Sequence, residues 1–357
     1  MMLNGPVKPP LLHGKNIMNP TSIVTGGRSY MVKLHDFDNL QVGDVINNAV
    51  FLGCPEDGSE DWHALRSGKF GGSDIGTIYG VGFRSPYVEY YERYGNMSRQ
   101  PIGEKYAEFG HALEPVTSAA FGRRFPQYII LDNPGAFGHV DNPLRITNPD
   151  ALLFDSATEE LVGIVDYKAS EFGSGWGDAV ERDGLVFNSL TPEKYRLQLQ
   201  SYADAFEVNE LWLAVLISGF NFRVSKVERD DQKADRDERV IQFDENGRKG
   251  IAPPYDGSFG ALDFIRSQHP EIDKKEVYYL SQRQRDDLIF ALSEKARVEG
   301  LENRIKAELL DKAGKQKAAK LQVGDKVVAI RTARGNGAPF LSLKEKVSDN
   351  PIEAVKK

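Results

Sequence analysis

Apolar residues recur along this chain with helical spacing in some stretches and strand alternation in others, and the changes of period mark the elements. Ser59 before Glu60 and Asp61 predicts a helix start, with Trp62, Leu65 and Arg66 on the helix and Gly68 at its end. Gly71-Gly72-Ser73 opens a second short helix holding Ile75 and Ile78. Ser85-Pro86 caps a third, on which Tyr87, Tyr90, Tyr91 and Tyr94 recur at i, i+3, i+4, i+7 before Gly95-Asn96. Such a tyrosine stripe is read as core, the alternative being a nucleic-acid platform. A longer helix over 104–123 is expected to turn Phe109, Leu113, Val116 and Ala120 inward, with Glu114 bordering that face.

Residues 145–170 then change period. They read as two strands about a polar turn at Asp155 to Glu160, and alternation puts Asp166 and Lys168 on one face of the second strand. Folding the hairpin back brings Asp150 near Asp166. A surface ion pair is the plain alternative for Asp166 and Lys168, but apolar residues on both faces of 161–165 predict a strand buried on both sides. After a Gly-rich loop over 171–190, Thr191-Pro192 caps a helix whose buried stripe is Tyr195, Leu199, Tyr202 and Phe206. Gln198 lies beside that stripe and Gln200 points away from it. A buried strand over 211–217 and an edge strand over 222–227, leading into a charged hairpin, complete an α/β core over 59–250.

Outside that core the signals are weaker. Residues 1–58 read as an N-terminal arm, partly disordered, and Met1, Met2, Met18 and Met31 leave the translation start open. Residues 255–357 read as a C-terminal extension. Within it, 280–313 carry a helical period broken at Gly300, which suggests a helical hairpin or a partner-binding coil. Lys and Arg crowd 312–334 against the single acid Asp325, either as a solvated face or as a DNA contact, before a β-hairpin turned at Gly335 to Gly337.

Composition narrows the chemistry. The one cysteine, Cys54, rules out an internal disulfide and a Cys-based zinc or iron–sulfur site, and the six histidines form no HExxH pair, so any metal must be oxygen-bound. The net charge of −7 argues against a general nucleic-acid-coating surface while leaving room for a local basic channel. No apolar run reaches the roughly 18 residues of a membrane span, and the N-terminus lacks the form of a signal peptide, so a cytoplasmic protein is expected. Glu114, Asp150 and Asp166 with Lys168 and Gln198 are the groups a two-metal phosphodiesterase needs: hard cations such as Mg²⁺ take carboxylate oxygens, and a lysine beside them orients or deprotonates water.

The series WHALRSG, GGSDI, FGHALEP, NPDALL, VDYK and YRLQLQSY resembles the YqaJ-type viral recombinase and lambda exonuclease family of the PD-(D/E)XK nuclease superfamily, over roughly residues 59–220. The resemblance implies a restriction-endonuclease-like core, a mixed central sheet flanked by helices. It assigns Asp150, Asp166 and Glu114 to two Mg²⁺ or Mn²⁺ ions, Lys168 to water activation and Gln198 to the helix after the core strands. It also places Arg66, Ser73 and Asn148 in a pocket for a terminal 5′-phosphate. Two departures stand out: Asp166 replaces a glutamate, and Ser174 stands where a phosphate-binding arginine is expected, with Arg182 the nearest substitute. The implied activity is 5′-to-3′ digestion of one strand from double-stranded DNA ends. The implied partners are copies of itself in a trimer and a single-strand annealing protein or host single-strand-binding protein. A sequence- or structure-specific endonuclease and a non-catalytic DNA-binding protein are the alternatives.

Overall fold

The computed structural model describes residues 31–95, 97, 104–171, 175–335 and 337–344. A 3-10 turn (Leu34–Phe37) precedes strands β1 (Val45–Ile46) and β2 (Ala49–Gly53), then helices α1 (Glu60–Arg66), α2 (Gly72–Ile78), α3 (Pro86–Tyr94) and α4 (Glu104–Arg124). Seven strands follow: β3 (Tyr128–Asp132), β4 (Ala136–His139), β5 (Ile146–Thr147), β6 (Ala151–Asp155), β7 (Leu161–Ser170), β8 (Ala179–Arg182) and β9 (Leu185–Asn188). Then come α5 (Glu193–Phe206), β10 (Glu210–Ile217), β11 (Asn221–Val227), α6 (Lys233–Arg248), α7 (Phe259–Gln268) and α8 (Gln282–Lys315). The strands β12 (Lys320–Val323), β13 (Lys326–Thr332) and β14 (Phe340–Leu343) close the series.

The main sheet runs β3-β6-β7-β10-β11-β9-β8 and is mixed, because β7 pairs with β10 in parallel while β6 and β7 form an antiparallel hairpin. Its two faces are covered by different helices. Leu152, Phe154, Ile164, Leu213 and Val215 pack on Leu199, Tyr202 and Phe206 of α5, whereas Leu153, Val165, Tyr167 and Ala214 pack on Phe121 and Phe125 beside α4. Burial on both sides explains why β7 and β10 read as nearly continuous apolar runs.

The helix starts agree with the sequence. Ser59 Oγ accepts from the Trp62 N–H at 3.1 Å, and Ser85 Oγ accepts from the Tyr87 N–H at 3.1 Å with Pro86 at the first helical position. The tyrosine stripe is core: Tyr87 and Tyr90 are buried, Tyr91 meets Phe264 of α7, and Tyr94 Oη lies 2.8 Å from Asp244 of α6.

Five expectations change. Residues 31–58 are not an arm. β1 and β2 join β4 and β5 in a four-stranded sheet, and Ile46, Ala49 and Phe51 enter the core, with Phe51 5.3 Å from Phe137. Residues 1–30 lie outside the described residues. The loop after β7 contains the hairpin β8–β9, which covers β11, so β11 is not an edge. The charged segment after β11 is helix α6, held because fully buried Arg236 pairs with Asp204 of α5 at 2.8 Å. On α4, Phe109 and Val116 are exposed and the inward face is Thr117, Ala120 and Phe121. Finally, α8 passes through Gly300 unbroken, and β12 makes the C-terminal hairpin three-stranded.

Candidate active site

The hairpin register sets Ala151 opposite Val165, so Asp150 comes level with Asp166, and the Tyr167 backbone N–H donates to Asp150 Oδ2 at 2.6 Å. Asp166 and Lys168 share the α5 face of β7, as their alternation requires. Asp166 is fully buried, and its carboxylate forms an ion pair with the Lys168 ammonium. From α5, Gln198 Nε2 lies 3.4 Å from Asp166 Oδ1 and 2.7 Å from Tyr202 Oη, so Tyr202 anchors the amide beside the acid. Gln200, also buried, instead donates to the Glu228 carbonyl at 2.6 Å, which separates its structural role from that of Gln198.

Helix α2 lies across α5 above this cluster, and only glycine fits there. A Cβ on Gly72 would sit 2.4 Å from Tyr202 Cε1 and 3.2 Å from Gln198 Cγ. The C-terminal end of α1 brings Arg66 to the site's margin: Nη1 donates to Asn148 Oδ1 at 3.1 Å, and the guanidinium stacks 4.5 Å over Trp62. Arg66 and Asn148 are therefore brought together, two residues from Asp150. Ser73 is exposed on the first turn of α2. Arg182 is not gathered here. It lies on β8, separated from β7 by β10, β11 and β9, a lateral distance of about 19 Å at the usual strand spacing, and it rests over Phe187. Ser174 falls outside the described residues.

Electrostatics tie the acids together. Burial, then the neighbouring Asp166 carboxylate, pushes the Asp150 carboxyl well above its ordinary value, with Lys168 and the Tyr167 N–H opposing and Glu114 adding to the rise. Burial also raises Glu114, which stands 3.3 Å from His111 and feels Lys168 and Asp166. Burial alone would lower the Lys168 ammonium, but Asp166 and Asp150 outweigh it and hold Lys168 above the ordinary lysine value. In this arrangement Lys168 is a protonated donor.

Among the described residues no three His, Cys, Asp or Glu side chains stand close enough to share one ion, so the expected three-carboxylate sphere is not assembled as it stands. Asp150 and Asp166 nonetheless offer what a hard divalent cation takes: carboxylate oxygens, sheltered, whose mutual repulsion a cation would relieve.

Sequence reasoning missed one support. Tyr167 Oη donates to Asp132 Oδ1 at 2.9 Å, and Ser118 Oγ holds the same carboxylate at 2.9 and 3.0 Å. That clamp on the α4 face fixes the residue whose N–H seats Asp150. The apolar run before Asp132 was its only signal.

Asp150 just before β6 and Asp166 on β7, with a lysine two residues after the second acid, on a mixed sheet between helices are the arrangement that the resemblance implies for a restriction-endonuclease-like core. Residues 61–205 match the family model described as the YqaJ-like viral recombinase domain. A curated relative described as uncharacterized protein YqaJ, from Bacillus subtilis (strain 168), is 25% identical over 268 residues, 71% of this chain and 78% of that one. Among solved structures, the alkaline exonuclease LHK-Exo from Laribacter hongkongensis aligns with a TM-score of 0.41 at 15% identity, covering 59% of this chain and 98% of its own. A phage related exonuclease from Haemophilus somnus 129PT aligns with a TM-score of 0.32 at 13% identity over 56% of this chain and 89% of its own. No helix among the described residues is long and apolar enough to cross a membrane.

Proposed function

We propose that this chain is a metal-dependent deoxyribonuclease that digests one strand of duplex DNA from its ends, 5′ to 3′, in phage-type recombination by single-strand annealing. The observation that carries this reading is the meeting of Asp150, Asp166, Lys168 and Gln198 on one sheltered face of β6 and β7. A buried carboxylate such as Asp166 is expensive to maintain, and a site without chemistry would gain from apolar replacements.

Asp150 and Asp166, with Glu114 at longer range, would hold Mg²⁺ or Mn²⁺. Such ions, when bound, would supply an acidified water and offset the charge developing on the leaving 3′-oxygen. The protein's own groups do the rest. The Lys168 ammonium orients the attacking water and the non-bridging phosphate oxygen, Gln198 keeps Asp166 in place, and the Tyr167 N–H fixes the direction of Asp150. Arg66, pinned between Trp62 and Asn148, is the cation for a terminal 5′-phosphate, and exposed Ser73 on the first turn of α2 is the hydroxyl offered to the same group. Arg182, on the far edge of the sheet, would meet the duplex away from the cut. A single-strand annealing protein or host single-strand-binding protein would receive the product strand in the cytoplasm.

The test is linear duplex labelled at either the 5′ or the 3′ end, set beside a closed circle, with Mg²⁺ and with EDTA. Early release of 5′ label, with the circle intact and EDTA inhibiting, is the expected result. Cutting of the circle would replace the exonuclease with an endonuclease.

A further inference from the structure

Helix α8 presents a surface that nothing in the described chain covers. It runs for 34 residues, about 51 Å at 1.5 Å per residue, and only Ala313 near its C-terminal end is buried. Leu288, Leu292, Val298, Leu301, Ile305 and Leu309 are each between 37% and 55% exposed. At 100° per residue all six fall within about half the helix circumference, while Ile289 and Phe290, also exposed, lie outside it. Each leaves on the order of 90 Å² in water, so the stripe offers about 550 Å², more than scattered surface hydrophobics leave exposed. Pairing two such stripes would bury at most about 1,100 Å², which reaches the roughly 1,000 Å² a specific interface needs.

The charges within the stripe say which partner fits. Leu288, Lys295, Glu302 and Leu309 follow one another at seven-residue intervals, the spacing that keeps side chains on the seam of a supercoiled helix. A second α8 laid antiparallel about the midpoint between Val298 and Glu299 puts Leu288 against Leu309 and Lys295 against Glu302, twice over by symmetry. The same mirror places Leu292 level with Ile305. A parallel pair would instead oppose Lys295 to Lys295. The present partners of these charges are exposed and on their own helix, Glu299 at 3.9 Å from Lys295 and Lys306 beside Glu302, so both can be exchanged at little cost. The mirror also levels Arg285 with Lys312, each of which carries its own carboxylate, Asp286 and Glu308 respectively.

We infer that α8 is a self-association element, pairing antiparallel with α8 of a second copy of this chain. The pairing is independent of whether the core hydrolyses DNA, and a mass measurement reports on it alone. Sedimentation equilibrium of the full chain at micromolar concentration should give an even multiple of the monomer mass, since a two-fold pairing doubles whatever unit the core forms. Lys295→Glu should raise the dissociation constant at least roughly tenfold, because two acids then face each other across the seam. Adding Glu302→Lys should restore it to within a few-fold. Leu292→Asp with Ile305→Asp should halve the mass, while Ser293→Glu on the opposite side should leave it unchanged, with far-UV circular dichroism confirming that each variant is folded. A monomeric wild type, masses indifferent to Lys295→Glu, or a failed charge-swap rescue would overturn the inference. Loss only of binding to a separately added annealing protein would do the same, giving the stripe to a different partner.

Discussion

At the residue level, the account rests on two acids whose protons are hard to remove and an ammonium that is hard to deprotonate. Burial and mutual repulsion hold Asp150 and Glu114 above the ordinary carboxylate range. In the metal-free protein their stabilising contribution is therefore full below that range and is lost as pH rises through the raised values. A divalent cation competes with those protons. The rise in Tm on adding Mg²⁺ should thus be larger at about pH 8 than at about pH 5. Asp150→Asn should abolish that difference while making the metal-free protein more stable at the higher pH by about 1 kcal/mol, measured by thermal melts in EDTA. His139 acts in the opposite direction. Burial, then Arg145, pushes its imidazole down to about 2, and neither ring nitrogen has a partner. It stays neutral when folded and charges when unfolded, so stability should fall by about 1.4 kcal/mol for each pH unit below the ordinary histidine value. His139→Gln should flatten that acid limb in denaturant titrations. Asp150, Asp166 and Lys168 were legible in the sequence because a hairpin with a clear polar turn and period-2 alternation is local information. Arg182 was misplaced because sequence proximity to Lys168 says nothing about the three strands inserted between them.

Among the elements, the close crossing of α2 over α5 is what the site depends on most. Gly72→Ala would push Tyr202, which is nearly fully buried and anchors Gln198. It should cost about 1–3 kcal/mol in denaturant melts and lower kcat more than it raises KM. The elements themselves were legible wherever capping residues bounded a clear period, as at Ser59, Ser85 and the β6–β7 turn. The faces of α4 were read about one position out of step, because polar Thr117 and Ser118 point inward to bind the Leu113 carbonyl and Asp132. The hairpin β8–β9 carries its own signal in the Asp183-Gly184 turn, at φ 51° and 74°, which reading 171–190 as one Gly-rich loop passes over. α6 was mistaken for a hairpin because its buried face carries Arg236 and Asp244, which pattern reading scores as solvent-facing.

On the scale of the whole molecule, two fully buried arginines, Arg145 and Arg236, tie the layers together. Fully buried Arg145 reaches Asp204 of α5 at 2.8 Å and Asp237 of α6 at 2.7 Å. Arg145→Met should weaken the fold by about 1–3 kcal/mol, since it removes one of two cations from each carboxylate, Asp204 keeping Arg236 and Asp237 keeping Lys233; a urea titration would measure this. No sequence period could reveal such a tie, nor the entry of Ile46, Ala49 and Phe51 into the core from a segment that reads as an arm. The central claim, hydrolysis at the Asp150, Asp166 and Lys168 cluster, is most directly tested by Mg²⁺-dependent digestion of linear duplex by folded Asp166→Asn and Lys168→Ala proteins beside wild type. The account predicts about 10³-fold or greater loss in each variant, with wild-type activity abolished by EDTA. Undiminished digestion by either variant, or by wild type in EDTA, would contradict it.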